Sequence, residues 1–209
     1  MNNKTLTEKE SLEIITTMIE RTKERYMLGD GNILLLWGYL SVGIAALVWT
    51  LLALTHNPAV NWLWFLIWII GGIATPIMAR RQSRRKGMKS ATDKIISRLW
   101  SVVGFSAIAC TFCCLGFLLF GGVDSWSMMF AFALIIVPMI EIAQGIILDE
   151  RSFVWGGSVG LLAGIITLAC IAGHVALAAR WMMPLFIAGF AAMMIIPGHV
   201  LNYKARRQR

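Results

Sequence analysis

The sequence predicts an all-α fold, a bundle of six transmembrane helices preceded by a cytosolic amphipathic helix. Three observations carry that prediction. The chain of 209 residues is 58% hydrophobic and 14% charged, where a soluble domain carries roughly a quarter charged residues. Its apolar residues gather into six runs, at 33–54, 61–79, 99–120, 126–148, 153–173 and 181–203, each near the ~20 residues needed to cross ~30 Å of hydrocarbon. Lys and Arg lie almost wholly in alternate connections between those runs. In lipid every backbone polar group needs an internal partner, so runs of this kind are helices.

Residues 1–31 precede the transmembrane part, 32–209. Thr7 and Glu10 have the spacing of a capping box, which satisfies free N–H groups in the first turn of a helix. Leu12, Ile15, Ile19, Thr22 and Tyr26 then recur at alternating steps of three and four residues, giving one largely apolar stripe. Gly29-Asp30-Gly31 is expected to end this helix, because glycine readily takes the left-handed conformation of a helix stop. The segment holds 5 basic and 6 acidic side chains, so an anionic lipid surface gains little from it. The stripe is therefore expected to pack on protein: its own bundle, a second copy of the chain, or a cytosolic partner.

The connection from Arg80 to Arg98 orients the spans. It holds 8 of the 19 Lys and Arg residues. Counting the N-terminal segment, this connection, Arg151 and the C-terminal tail together puts 18 on one side of the membrane and only Arg180 on the other. By the positive-inside rule both termini are cytoplasmic. The formal charge of +8 follows from that topology, and no soluble domain is present to bind nucleic acid. The polar N-terminus lacks the pattern of a cleaved signal peptide, and the four cysteines all fall within spans, which argues against a secreted disulfide framework. Trp37, Trp100 and Trp155 are expected near the inner interface, with Trp49, Trp62, Trp126 and Trp181 near the outer one. The spans also read as three related hairpins. Outward helices begin LWGYLSVG, LWSVVG and VWGGSVG, and inward ones carry Pro76, Pro138 and Pro197. Such repeats occur in transporters, although small residues and interfacial tryptophans recur in any bundle.

Few residues offer chemistry. Glu141 is an acid inside a span, with Pro138 one turn before it and Gln144 on the same face. A carboxylate there must be protonated, paired or open to a cavity. His199 lies at similar depth on another inward helix, so a Glu141–His199 pair would relay protons or bind a cation. A structural hydrogen bond near the cytoplasmic end is the alternative. Ser158 in GGSVG has the letters of a hydrolase elbow but opens a membrane helix, without the strand-to-helix turn an elbow requires. Gly156, Gly160 and Gly164 instead repeat every fourth residue, as a close-packing face does. The CxxC at Cys110 and Cys113 lacks the second pair of a zinc site, and His56 and His174 are too few for a metal. No cofactor is implied. The three span prolines are expected to kink their helices, opening a cavity on the cytoplasmic side.

The stretches ESLEIITTMIERTKERY, ILLLWGYL, ATDKIISRLW, GIILDE and IIPGHVLNYKARR together resemble a family of small multi-pass bacterial inner-membrane proteins with no established activity. That resemblance implies location and no site residues. The functional expectation is a non-enzymatic sensor or scaffold. It would engage a cytosolic partner through Leu12, Ile15, Ile19 and Tyr26 and through Arg84, Arg85 and Lys86. The order of amphipathic helix, six spans and basic loop also resembles the permease subunit of a type-2 ABC exporter. That resemblance implies a transporter with an ATPase partner in place of a regulator.

Overall fold

The computed structural model describes the backbone of residues 7–86 and 91–207, with side chains except at 8, 11, 19–30 and 82–86. Every regular element among these residues is helical. Helix α1 runs from Glu8 to Thr55. It opens on the expected capping box, in which the Thr7 N–H donates to the Glu10 carboxylate at 2.9 Å and the Glu10 N–H donates to Thr7 Oγ1 at 3.4 Å. It ends at His56, which takes the left-handed conformation with φ 52°, the usual geometry of a helix C-cap.

The expected stop at Gly29-Asp30-Gly31 is not made, and α1 passes through it unbroken. The reason lies in tertiary packing. A Cβ on Gly31 would lie 2.6 Å from the Gly198 carbonyl oxygen and 2.7 Å from Asn202 Oδ1, and Asn202 Nδ2 donates to Asn32 Oδ1 at 2.8 Å. Gly31 thus serves close helix contact. Glycine permits a left-handed turn without imposing one, and an intact backbone ladder wins where a neighbour packs against it.

The second span enters as a 3₁₀ segment, Pro58–Trp64, with Asn57 Oδ1 accepting from the Ala59 N–H at 2.9 Å. Helix α2, Phe65–Lys86, continues it. Helices α3 (Ala91–Gly121), α4 (Ser127–Leu148) and α5 (Arg151–Ala172) follow. The last span has three parts: α6 (Ala179–Phe190), a π-helical turn (Ala191–Ile195) and α7 (Ile196–Arg207). Six helical segments are long and apolar enough to cross a membrane. This is a multi-pass helical membrane protein.

The helices pack as an arc. In space the order is α3, α4, α5, then α6 with α7, then α1, with α2 laid along α1. The most extensive contact joins α4 to α5, and the next joins α1 to α7. Leu134, Phe153, Met182, Phe190, Met193 and Leu201 form the centre of the core. The second span reaches back to the middle of the arc, where Trp64, Phe130 of α4 and Phe186 of α6 contact one another edge to face at 5.4–5.5 Å, a favoured aromatic geometry. Trp37 does more than mark an interface. Its indole N–H donates to Thr75 Oγ1 at 2.9 Å, and its ring fills the place of a side chain at Gly71, binding α2 to α1.

Candidate functional site

Helix α4 buries one stripe, Leu134, Pro138, Glu141, Gln144, Gly145 and Leu148, spaced by three and four residues as one helix face requires. Helix α5 meets that stripe with glycine. A Cβ on Gly164 would run into the Leu134 carbonyl, one on Gly157 would stand 2.6 Å from Ile142 Cγ1 and 3.0 Å from the Pro138 oxygen, and one on Gly160 would touch Pro138 Cβ at 3.2 Å. Gly156 and Gly160 also face the last span, close to Ala192, Met193 and Pro197. The repeat every fourth residue is therefore a packing face between two neighbours, as its spacing predicted.

Both neighbours carry a proline at that contact. Pro138 has no N–H, so the carbonyl of Leu134 loses its helical donor. In the π turn the Ile196 N–H donates to Ala191. The following residue is Pro197, so the carbonyl of Ala192 lacks a donor as well. The wider turn keeps the proline ring clear of the backbone before it. Each orphaned oxygen is covered by a glycine of α5. Gly164 lies over Leu134, and Gly156 lies over Ala192, whose oxygen stands 2.5 Å from the Cβ position. Cα–H groups at such approach act as weak donors, about 0.5–1 kcal/mol each. The side chains of Pro138 and Pro197 are fully buried. They are packed, and they do not line the expected opening.

Glu141 sits in this seam with an exposure of 0%, and neither carboxyl oxygen has a hydrogen-bond partner. The anticipated pairing with His199 is not formed. His199 Nε2 instead meets Tyr39 Oη at 2.7 Å, on an exposed face of α7. Depth along the helix put the two residues at one level, while rotation about the helix axes turned them apart. Gln144 shares the buried face, but its Oε1 accepts from Trp100 Nε1 at 2.7 Å. Ser158 Oγ donates to the Val154 carbonyl at 2.7 Å, the back-bond common to serines within helices. Among the described residues no three ligating side chains come together.

Of the partner-facing candidates, Leu12 is 64% exposed and Ile15 52%. The side chains of Ile19, Tyr26, Arg84, Arg85 and Lys86 lie outside the described residues, as do residues 87–90 of the basic loop altogether. Two further pairings escaped the sequence reading. One is Trp100–Gln144, whose members were each flagged for other reasons. The other is Glu150 with Lys204. Glu150 is 5% exposed, and Lys204 Nζ donates to both its oxygens, at 2.7 and 2.8 Å. An acid beside a basic tail gave the only hint.

Comparison with family models, with curated proteins and with solved structures yields no match. Function must therefore be argued from the site itself.

Proposed function

We propose that this chain is a non-enzymatic sensor or scaffold of the bacterial inner membrane, docking a cytosolic protein on the N-terminal part of α1 and the basic loop. The single observation behind this is the continuity of α1 from Glu8 to Thr55. Residues 8–30 extend about 35 Å beyond the first span at 1.5 Å per residue, in one piece with it. That extension offers Leu12 and Ile15 to a partner. The distribution of Lys and Arg supports cytoplasmic termini, so the extension lies where a regulator would meet it. The sequence likeness to small bacterial inner-membrane proteins supports the same location.

The test is crosslinking and gentle purification from native membranes, using the full chain, a deletion of residues 1–28, and Leu12→Asp with Ile15→Asp. A regulator captured by the full chain and lost from both variants is the expected result. The same partner recovered in equal amount from the deletion refutes the role given to the helix. Recovery of a nucleotide-binding subunit held by the basic loop favours the exporter-permease reading instead. The short connection at 173–178 between α5 and α6, which carries no helix of its own, weighs against that reading.

A further inference from the structure

The buried carboxyl of Glu141 has no part in docking at the end of α1, and the inference that follows rests on separate observations. Three helices converge beside it. A Cβ on Gly160 would stand 3.2 Å from Pro138 Cβ and 2.7 Å from Met193 Sδ, so α4, α5 and the π turn meet at one level. One helical turn nearer the termini stand Glu141, Gly156 and Pro197. Gly156 there touches Pro197 Cγ, at 3.1 Å from its Cβ position. Glu141 is flanked on its own face by Pro138 and Gly145, both in contact with α5. Its carboxyl is therefore shut within the α4–α5 seam.

We propose that Glu141 is a proton-binding site, and that the packed bundle is its protonated state, from which proton release requires α4 and α5 to part.

A carboxylate shut away from water, cation and hydrogen-bond donor is disfavoured by more than a seam of glycine contacts can offset. The groups facing Glu141 supply no countercharge. On α3 the Trp100–Gln144 bond sets the register, which brings Val103 and Ala107 alongside, both buried. On α5, Phe153 packs on Gly145, and Gly157 and Gly160 pack on Pro138, while from the last span Pro197 meets Gly156; all are uncharged. Helix α6 presents Met182, Met183 and Phe186 to the other half of the core. Charged groups at the same end of the bundle include Arg98, Asp149 and Arg151, all exposed, and the Glu150–Lys204 pair, already bound to each other. His199 is held by Tyr39. The packed seam thus admits the neutral acid only.

Proton transfer is simple to balance: the carboxyl O–H breaks, and the proton passes to water reaching the seam, leaving the carboxylate. Water reaches it only if the helices separate. The backbone is already prepared to bend there, because Pro138 and the π turn each leave a carbonyl outside the helical ladder, and bending breaks no further ladder bond. A leucine would fill the same space without the desolvation cost, so packing alone gives no reason for an acid.

The experiment uses the full chain in lipid vesicles, followed by infrared difference spectroscopy as the pH is raised. The expected result is a carbonyl-stretch band of one protonated carboxyl that disappears reversibly and is absent from Glu141→Gln. Hydrogen-exchange protection in residues 138–145 and 156–164, corrected for base-catalysed intrinsic exchange, should fall about tenfold over the same pH interval in wild type, and stay constant in Glu141→Gln. A band that persists until the whole bundle unfolds overturns the proposal, since the acid is then permanently neutral. So does the absence of any protonated band at low pH. If Glu141→Gln is not recovered folded, the wild type decides: band loss and loss of protection must coincide, and their separation refutes the link.

Discussion

Replacing Gly164 by alanine tests the claim that α5 is a glycine spine between two proline-bearing helices. The added methyl would overlap the Leu134 carbonyl, with its carbon 2.5 Å away, where ordinary carbon contacts need 3.5–4.0 Å. A backbone carbonyl cannot swing aside as a side chain does, so α4 and α5 must move apart by about 1 Å at this point. Overpacking of this kind costs about 1–3 kcal/mol, and the weak Cα–H donor to the orphaned oxygen loses a further ~0.5–1 kcal/mol. Alanine recovers up to about 1 kcal/mol through its better helix propensity. The net is a loss of about 2 kcal/mol. The proper control is Gly104→Ala on α3, where nothing lies within 4 Å of the new methyl, and where only the propensity gain of up to ~1 kcal/mol applies. Gly160→Ala should fall between, because its closest neighbour is the flexible end of Met193, at 2.7 Å. Unfolding from lipid–detergent mixtures by increasing SDS, followed by tryptophan fluorescence, ranks the three variants. If Gly164→Ala unfolds at the same midpoint as Gly104→Ala or later, the close-packed seam is wrong.

Other perturbations probe separate contacts. Lys204→Ala leaves Glu150 buried without its cation; since Lys204 is 45% exposed and solvent screens the pair, the loss should be about 1 kcal/mol in the same SDS titration, and Glu150→Gln in the Lys204→Ala background should restore part of it. Trp100→Phe removes the donor to Gln144 and leaves a buried amide oxygen unsatisfied, which should destabilise the bundle by about 1–2 kcal/mol, while Trp155→Phe on an exposed face should change stability little. At the start of α1, the Thr7 backbone and side-chain hydrogen bonds hold the Glu10 carboxyl below its ordinary value of 4.5. A depressed value in the folded helix means that the capping contribution is complete above pH 4.5 and fades as pH falls through the lowered value. Amide protection in the first turn of α1, corrected for the pH dependence of intrinsic exchange, should fall over that acid range in wild type and show no such step in Glu10→Gln.

The spans were legible because their signal is one-dimensional. Length and apolarity along the chain suffice to mark a crossing, and all six helices stand where the runs predicted them. The capping box at Thr7 was legible for a related reason, since its partners lie three residues apart. What escaped depends on rotation and on neighbours. Counting residues gives depth but only a loose helical phase, which is how Glu141 and His199 were paired although one faces the seam and the other Tyr39. Gly29-Asp30-Gly31 contains the residues of a helix stop, yet whether a glycine turns or admits a neighbour is decided by Gly198 on a helix far away in sequence. Tryptophans were read as boundary markers by composition, whereas Trp37 and Trp100 use their N–H groups inside the bundle. The match of glycine on α5 to proline on α4 and α7 needs three helices to be placed before it exists at all.

Helix α1 crosses α7 where Gly31 meets Gly198, and that crossing divides it unequally in use. Toward the bundle its residues are held by α2, α6 and α7; beyond it a rod of about 35 Å projects. Residues 8–30 therefore form an arm continuous with the first span. A tilt of about 10° at the crossing displaces the region of Leu12 by roughly 5 Å along a helix of 1.5 Å rise. Repacking too slight to be noticed among the spans becomes, at the far end of the arm, a shift the width of a side chain.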